Sequence, residues 1–296
     1  MLFLLSGGGS ALFEKHLVDG AVLQDVTKKL LARGADITQI NTIRKRLSAV
    51  KGGRFAAHCA PARIEAIILS DILGDPVDMI ASGPAAADSA TTEDAKRIAA
   101  QYGVDDLEEV RACLNRETPK EVPNVHTQVI GSVRQLCRAA EKAALELGYE
   151  CIFLSDHLDG EASDTGRWMA EELKKYAGRG KKIALLAGGE TVVHLKGNGQ
   201  GGRNQELALA AAEILDGIPH AALISVGSDG TDGPTDAAGG YVDTDTVREL
   251  AVKGMDIRTY LDHNDAYHAL QAVDNLIITG PTGTNVNDVT IGLIGG

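Results

Sequence analysis

Apolar runs alternate with glycine-rich or polar segments along the whole chain. Short apolar runs bounded by turn residues predict buried strands, here at 2–5, 64–69, 125–130, 149–154, 183–187, 222–226, 276–279 and 289–294. Segments with apolar residues three or four positions apart predict helices, as at 22–58 with breaks near Gly34 and Gly52, at 160–175, and from Gly202 to about Leu215. Strands that alternate with helices predict an α/β fold.

Composition and length agree with this class and suggest two domains. Hydrophobic residues make up 44% of the 296 positions and aromatic residues only 4%, so small aliphatic side chains do the packing, as when helices cover a parallel sheet. The chain is long enough for two domains that each have a core. The polar stretch 107–124, with Pro119 and Pro123, predicts a linker between a domain at 1–122 and a domain at 123–296.

The net charge limits the kinds of binding partner, and the cysteine pattern indicates the cellular compartment. The net charge of −12 argues against non-specific binding to nucleic acid or to an anionic membrane, although an anionic substrate needs only local positive charge. No apolar stretch has the length of a membrane span. The four cysteines form no CxxC pair, which predicts reduced thiols in a cytoplasmic protein; they are Cys59, Cys113, Cys137 and Cys151.

The stretch GGRNQE, residues 201–206, is the most informative candidate site. Its two glycines let the backbone approach a ligand closely, and the helix that follows would direct unpaired N–H groups and the positive end of its dipole at a phosphate. Arg203 adds a planar, always charged group that suits a phosphoryl oxygen. The alternative is a tight turn with Arg203 in a surface ion pair.

The first domain offers a second glycine turn and a basic run. Gly7, Gly8, Gly9 and Ser10 follow a predicted strand and would cradle a phosphate or form a tight turn; no Gly-Lys-Ser/Thr closes the turn, and Leu12 stands where a third fingerprint glycine would be. Five Lys or Arg occur in the eleven positions 44–54. They form either a solvated helix face or the positive wall of a phosphate site, for which Arg44 and Lys51 are candidates.

Several acidic residues follow predicted strands. Asp71 comes directly after a buried strand, where open α/β sheets bind ligands, and one carboxylate plus waters is a usual way to hold Mg²⁺. The alternative is that Asp71 accepts backbone hydrogen bonds. Asp75 is a second possible ligand, but it is predicted to stabilise a turn. Glu190 is either a metal or substrate ligand or the start of a hairpin with 192–195. The loop 227–236 places three Asp among glycines but lacks the Glu of a calcium loop, which favours one or two ligands.

Seven motifs, in one order, resemble the glycerate 2-kinase family, whose C-terminal part is called the MOFRL domain and whose members are often labelled hydroxypyruvate reductase. They are SGGGSAL (6–12), NTIRKRLSAVKGGR (41–54), SDILGDPVDMIASGP (70–84), GGET (188–191), GGRNQELAL (201–209), GSDGTDGPTDAAG (227–239) and TGPTGTNVND (279–288). The resemblance implies two α/β domains, the first Rossmann-like and the second of the MOFRL type, with the active site in the cleft between them.

The resemblance also implies ATP-dependent phosphorylation of D-glycerate to 2-phosphoglycerate with Mg²⁺. In this family the arginine that corresponds to Arg203 is implicated in the phosphoryl step. Because phosphoryl transfer depends on positioning and charge stabilisation, we further expect Asp71 and Glu190 to organise Mg²⁺. The turn Gly7–Ser10 holds a phosphate or the substrate carboxylate. Asp229 and Asn285 are placed near the site by their motifs alone.

One feature departs from the family, whose members carry a further N-terminal segment with a Gly-Lys-Ala stretch and a lysine implicated in catalysis. No such stretch precedes Met1, so we expect an incomplete first domain. An NAD(P)H-dependent hydroxypyruvate reductase is the alternative activity, although the chain lacks a complete dinucleotide fingerprint. A non-catalytic protein that still binds the ligand is the third alternative for the function. For the oligomeric state, a homo-oligomer is the alternative to a monomer.

Overall fold

The computed structural model describes residues 1–295, which divide into two compact units. The first unit comprises Met1–Ile130, and the second begins at Gly131. Each unit contains strands and helices, so the predicted α/β class with two domains is confirmed. The boundary lies between 130 and 131, whereas the polar stretch predicts it between 122 and 123.

Within the described residues, the first unit contains a three-stranded sheet in the order β1-β2-β3. β1 and β2 run parallel, so the loops that follow them leave the same edge of the sheet. The predicted domain boundary places the strand at 125–130 in the second domain. This prediction is wrong, because that strand, β3, pairs with β2 in the sheet of the first unit. The elements are β1 (Leu2–Leu5), α1 (Gly9–Leu12), α2 (Gly20–Ala32), α3 (Ile37–Arg46), α4 (Arg54–Cys59), β2 (Ile64–Leu69), α5 (Thr92–Gln101), α6 (Glu108–Leu114) and β3 (Val125–Gly131).

The strand β1 is only half buried. Leu2 and Leu4 are 65% and 68% exposed, whereas Leu5 is buried. Because β1 is an outer strand and successive side chains of a strand point to opposite faces, one set of its leucines packs inward and the other meets solvent. The expectation of a fully buried strand is therefore wrong for this element.

The helices predicted over 22–58, with their breaks, are confirmed. α2 ends at Ala32, before Gly34, and α4 begins directly after Gly53. α2 and α3 share a core with α5 and α6, and its members Leu30, Ile43, Leu47 and Val110 are fully buried. This helical layer fixes the position of the segment 44–54.

In the part of the chain that the structure describes, the second unit contains a six-stranded sheet in the order β4-β5-β9-β6-β7-β8. Its elements are α7 (Val133–Glu146), β4 (Glu150–Leu158), α8 (Ala162–Lys174), β5 (Ile183–Gly189), α9 (Arg203–Leu215), β6 (Ala221–Gly227), β7 (Gly239–Asp243), α10 (Thr246–Val252), α11 (Ile257–Asp262), α12 (Ala266–Ala272), β8 (Leu276–Ile277) and β9 (Asp288–Ile294).

The central strand β9 runs antiparallel to both of its neighbours, β5 and β6. The expectation of a parallel sheet is therefore wrong here, because small aliphatic packing residues suit a mixed sheet equally well. In the register, Asp288 pairs with Gly189 on one side and with Gly227 on the other. The first residue of β9 thus lies between the last residues of β5 and β6.

The helix α9 is buried along most of its length. Its residues Leu207 to Ala212 are at most 1% exposed. α8 packs so closely against it that a methyl group at Gly166 would overlap the carbonyl group of Leu207. Burial from several sides holds α9 rigidly, and this fixes the position of its first residue, Arg203.

The lengths of the helices and the state of the cysteines bear on the expected location of the protein. None of the helices within residues 1–295 is long and apolar enough to cross a membrane. All four cysteines are free thiols. A cytoplasmic location stays a prediction.

Candidate functional site

Arg203 is the first residue of α9, directly after the N-cap residue Gly202. Its Nε donates to Oδ2 of Asp288 at 2.6 Å, and its Nη2 donates to Oδ1 of the same carboxylate at 3.1 Å. Its Nη1 donates to Oε1 of Glu190 at 2.8 Å. The guanidinium group is therefore held in a fixed plane between the ends of β5 and β9.

Glu190 completes this arrangement from the end of β5. Its Oε2 accepts a hydrogen bond from Nδ2 of Asn287 at 3.0 Å, so both of its oxygens have partners. The segment 192–195 forms no strand, so the hairpin alternative for Glu190 is wrong. A role of Glu190 as a metal ligand stays a prediction.

Opposing effects act on the pKa of the Arg203 guanidinium group. Burial by itself lowers the pKa of the guanidinium group, but the hydrogen bonds and negative charge of Asp288, together with Glu190 and Asp232, raise it above its ordinary value. Arg203 is thus a permanent cation, and its side chain remains 32% exposed. It combines fixed orientation with access to a ligand, which is what stabilisation of a phosphoryl group requires.

The backbone N–H groups at the N-terminus of α9 already have partners within the protein. The backbone N–H groups of Asn204 and Gln205 donate to Oδ1 and Oδ2 of Asp232 at 3.1 and 2.8 Å. The prediction that these N–H groups are unpaired and available to a phosphate is therefore wrong. A carboxylate of the protein already occupies the anion site at this helix N-terminus.

Gly202 makes room for this carboxylate, since a methyl group there would overlap Asp232. The side chain of Asp232 is almost fully buried, and burial raises its pKa to about 6, although the backbone N–H groups of Gln205 and Asn204 act in the opposite direction. The glycine thus serves the close approach of an internal carboxylate.

A cavity of about 580 Å³ lies beside Arg203 within the second unit. Asp229 from the loop after β6 lines it, and contact of Asp229 with a ligand stays a prediction. Asn285 does not line this cavity; it is exposed, and its side chain accepts a hydrogen bond from the backbone of Asn287 at 3.2 Å. Other lining residues include Val192, Leu195, Glu206, Pro234 and Asn264.

The predicted glycine turn of the first unit meets one of the predicted carboxylates. Gly7 follows β1 and Asp71 follows β2, and a methyl group at Gly7 would overlap the carboxylate of Asp71. The parallel pairing of the two strands brings both loops to one edge of the sheet. Glycine at position 7 is therefore required for this close approach, whereas a methyl group at Gly8 would meet open space.

Two basic residues support the glycine turn from the same side. Nη2 of Arg44 and Nζ of Lys51 both donate to the carbonyl oxygen of Ser10, at 2.8 and 2.9 Å. Lys51 also donates to the carbonyl of Ala81 at 3.2 Å, and burial lowers its pKa to about 8 in spite of the nearby charge of Glu14. Both side chains thus stabilise the turn, and direct contact with an anion stays a prediction for them.

The remaining basic residues of the run are structural. Lys45 is buried and its Nζ lies 2.9 Å from Oδ1 of Asp88, and the buried Arg46 pairs with Glu117 at 2.6 Å. The interpretation as a solvated helix face is therefore wrong. Asp75 has a positive φ of 55° and its N–H donates to the carbonyl of Ile72, in keeping with its predicted turn role.

No group of three or more His, Cys, Asp or Glu side chains within residues 1–295 is arranged to hold a metal ion. A site made of one carboxylate with waters and nucleotide oxygens does not require such a group. Asp71, an oxygen ligand beside the glycine turn, has the right chemistry for Mg²⁺. Glu190 fits less well, because both of its oxygens already accept hydrogen bonds.

The fold and these sites define an α/β protein with an oriented arginine at the edge of a ligand-sized cavity. A model of a domain of unknown function, DUF4147, matches residues 1–115, and the model of the MOFRL family matches residues 183–288. The D-glycerate 2-kinase of Thermotoga maritima is 52% identical, and the match covers 99% of this chain and 72% of that protein. The chain belongs to the glycerate 2-kinase family, which confirms the resemblance seen in its motifs.

Another relative and a solved structure support membership of the same family. A glycerate 2-kinase of Pyrococcus horikoshii is 42% identical over 99% of this chain and 70% of its own length. The crystal structure of the glycerate kinase from Thermotoga maritima matches with a TM-score of 0.96, covering 99% of this chain and 72% of that one. These likenesses extend to both units.

Proposed function

We propose that this protein transfers the terminal phosphoryl group of ATP to D-glycerate and forms 2-phosphoglycerate. The observation that carries the proposal is Arg203, which Asp288 and Glu190 hold beside the cavity of the second unit. Membership of the glycerate 2-kinase family supports the choice of substrate.

Phosphoryl transfer requires positioning and charge stabilisation more than covalent chemistry. We assign to Arg203 the stabilisation of negative charge on the transferring group, a role that is worth on the order of 10³-fold or more in rate. Asp288 acts as a positioning residue, because its two oxygens fix the guanidinium plane without contact to the ligand. Asp229, which also lines the cavity, is proposed to contact the ligand.

Gly7 and Gly8 of the glycine turn are proposed to contribute their backbone N–H groups to a phosphate or carboxylate group, since those of Gly9 and Ser10 already donate to the carbonyl oxygens of Ser6 and Gly7. Asp71 is proposed to hold Mg²⁺, which neutralises phosphate charge when it is bound. Arg44 and Lys51 keep the turn in place through the carbonyl oxygen of Ser10. Ligand contact by Asn285 and Glu190 stays a prediction.

The test is an incubation of the purified protein with ATP, MgCl₂ and D-glycerate, followed by ³¹P NMR of the products. We expect equal amounts of ADP and 2-phosphoglycerate, and no ADP when D-glycerate is omitted. A second incubation with hydroxypyruvate and NADH, followed at 340 nm, tests the reductase alternative. Oxidation of NADH without phosphoryl transfer would replace the kinase assignment.

A further inference from the structure

The cavity beside Arg203 contains an acidic residue to which the reaction above assigns no role. Glu206 lies three residues after Arg203 in α9, so their Cβ atoms are about 5–6 Å apart on neighbouring positions of one helix face. Glu206 lines the cavity, yet only 5% of the residue is exposed. A buried carboxylate at the wall of a ligand-sized cavity requires an explanation.

One oxygen of Glu206 is held by the protein and the other is available. Nδ2 of Asn264, which also lines the cavity, donates to Oε2 at 3.0 Å. Among residues 1–295, the structure gives Oε1 no hydrogen-bond partner and places no cationic nitrogen in ion-pair distance of the carboxylate. Buried carboxylates ordinarily accept several hydrogen bonds, so Oε1 has capacity for a donor that arrives with a ligand.

The donors that ATP and D-glycerate carry are neutral, and most of them are hydroxyl groups. Burial raises the pKa of Glu206, and the negative charge of nearby Glu161 acts in the same direction, whereas the hydrogen bond from Asn264 and the positive charges of Lys196 and Arg167 lower it in part. Hydroxyl groups donate to such a carboxylate, and a pair of adjacent hydroxyl groups engages it most completely. Recognition of a ribose by an acidic side chain follows the same chemistry in dinucleotide-binding folds.

A ligand that uses both residues combines an anionic group, for Arg203, with adjacent hydroxyl groups, for Glu206. Both ATP, through its ribose, and D-glycerate, through its 2- and 3-hydroxyl groups, satisfy this. The volume of about 580 Å³ suits a nucleotide, since cavities of roughly 300–1,000 Å³ hold ligands of drug size. Val192 and Leu195, which are 47% and 80% exposed, add an apolar wall for a base.

We propose that Glu206 binds the vicinal hydroxyl groups of the ligand in this cavity, with the ribose of the nucleotide as the expected source. The inference rests on the proposed kinase function and extends it to the recognition of the sugar. It assigns two residues in the first turn of α9 to two parts of the ligand: Arg203 to the phosphate and Glu206 to the ribose.

The test compares the affinity of ATP with that of 2′,3′-dideoxy-ATP by isothermal titration calorimetry. We expect the wild-type protein to bind ATP about tenfold or more tightly, as hydrogen bonds to a charged group predict. In Glu206→Gln this preference is expected to fall to about twofold or less. Glu213→Gln is the matched control, because its carboxylate lies in the same helix but pairs with Arg167 and Arg258 outside the cavity.

A second arm distinguishes the two sources of the hydroxyl groups. It compares D-glycerate with D-lactate, which lacks the 3-hydroxyl group. If Glu206→Gln leaves the nucleotide preference intact but removes the preference for D-glycerate, the substrate is the source. If Glu206→Gln changes neither preference, the inference is overturned, while ³¹P NMR of the wild-type reaction tests the kinase function separately.

Circular dichroism verifies that each variant is folded. If Glu206→Gln is not, Glu206→Asp retains the charge with a shorter reach and is expected to lose most of the preference. The wild-type protein also tests the inference without any variant. Equal affinity for ATP and its dideoxy analogue, with equal affinity for D-glycerate and D-lactate, would overturn it.

Discussion

Arg203 and Asp288 lie 85 positions apart in the sequence and are joined by two hydrogen bonds of 2.6 and 3.1 Å. Each is the first residue of its element, Arg203 of α9 and Asp288 of β9. The Asp288 side chain is 8% exposed, whereas that of the third partner, Glu190, is 47% exposed. An incoming phosphate can therefore displace Glu190 from the guanidinium group while Asp288 keeps its plane fixed.

This asymmetry predicts different effects of removing the two carboxylates. Asp288→Asn should lower the free energy of unfolding of the second unit by about 1–2 kcal/mol, because it weakens two charge-assisted hydrogen bonds. The burial that raises the pKa of Asp288 penalises its charge, and the neutral amide recovers part of this loss. Glu190→Gln should change it by less than about 1 kcal/mol, since exposed ion pairs contribute little. Urea denaturation followed by the fluorescence of Trp168, the one tryptophan of the chain, measures both. Equal effects would contradict the division of roles.

The turn after β1 predicts a contrast between two adjacent glycines. A methyl group at Gly7 would overlap the carboxylate of Asp71, so Gly7→Ala should destabilise the protein by about 1–3 kcal/mol. At Gly8 a methyl group meets nothing within 4 Å and the backbone is helical, so Gly8→Ala should stay within about 0.5 kcal/mol. Thermal unfolding by circular dichroism compares them. A Gly8→Ala variant as unstable as Gly7→Ala would show that the turn itself, and not Asp71, requires glycine.

Asp232 predicts a specific dependence of stability on pH. Its pKa in the folded protein is about 6, above its ordinary value of 3.8, so the folded state binds the proton more tightly than the unfolded chain. The resulting stabilisation is fully present below pH 3.8 and is lost as the pH rises through 6. The free energy of unfolding of the wild type, relative to Asp232→Asn, should therefore fall by on the order of 3 kcal/mol across this range.

The measurement is urea denaturation of both proteins at several pH values between 4 and 7, again followed by Trp168. Asp232→Asn serves as the reference because it keeps an oxygen acceptor at the start of α9 but does not titrate. A difference between the two proteins that stays constant or rises with pH would contradict the assigned environment of Asp232.

The sequence predicts those parts of the site that depend on local pattern. Arg203 at a helix start and Asp71 after a strand follow from apolar periodicity and glycine spacing. Asp232 and Asp288 are missed, although Asp232 lies in a loop and Asp288 directly follows one, and the many polar residues of both loops signal hydrogen bonding. Their partners lie far away in the sequence, and only the register of β9 between β5 and β6 brings Asp288 to Arg203.

Strand direction and burial of charge are likewise not local properties. An apolar run such as 289–294 looks the same whether the strand runs parallel or antiparallel, so the mixed sheet cannot be predicted from it. The basic run looks like a solvated helix face until Asp88 and Glu117 are placed opposite Lys45 and Arg46. Pairing of this kind comes from tertiary contacts rather than from composition.

The most direct test of the central claim is the turnover number for ATP and D-glycerate in the wild type, in Arg203→Ala and in Arg248→Ala. Arg248, an exposed arginine of α10 paired with Asp245, provides the control. We predict that Arg203→Ala lowers the turnover number by about 10³-fold or more with an unchanged circular dichroism spectrum, while Arg248→Ala retains wild-type turnover. Near-wild-type turnover of Arg203→Ala would remove Arg203 from the phosphoryl step and contradict the proposed mechanism.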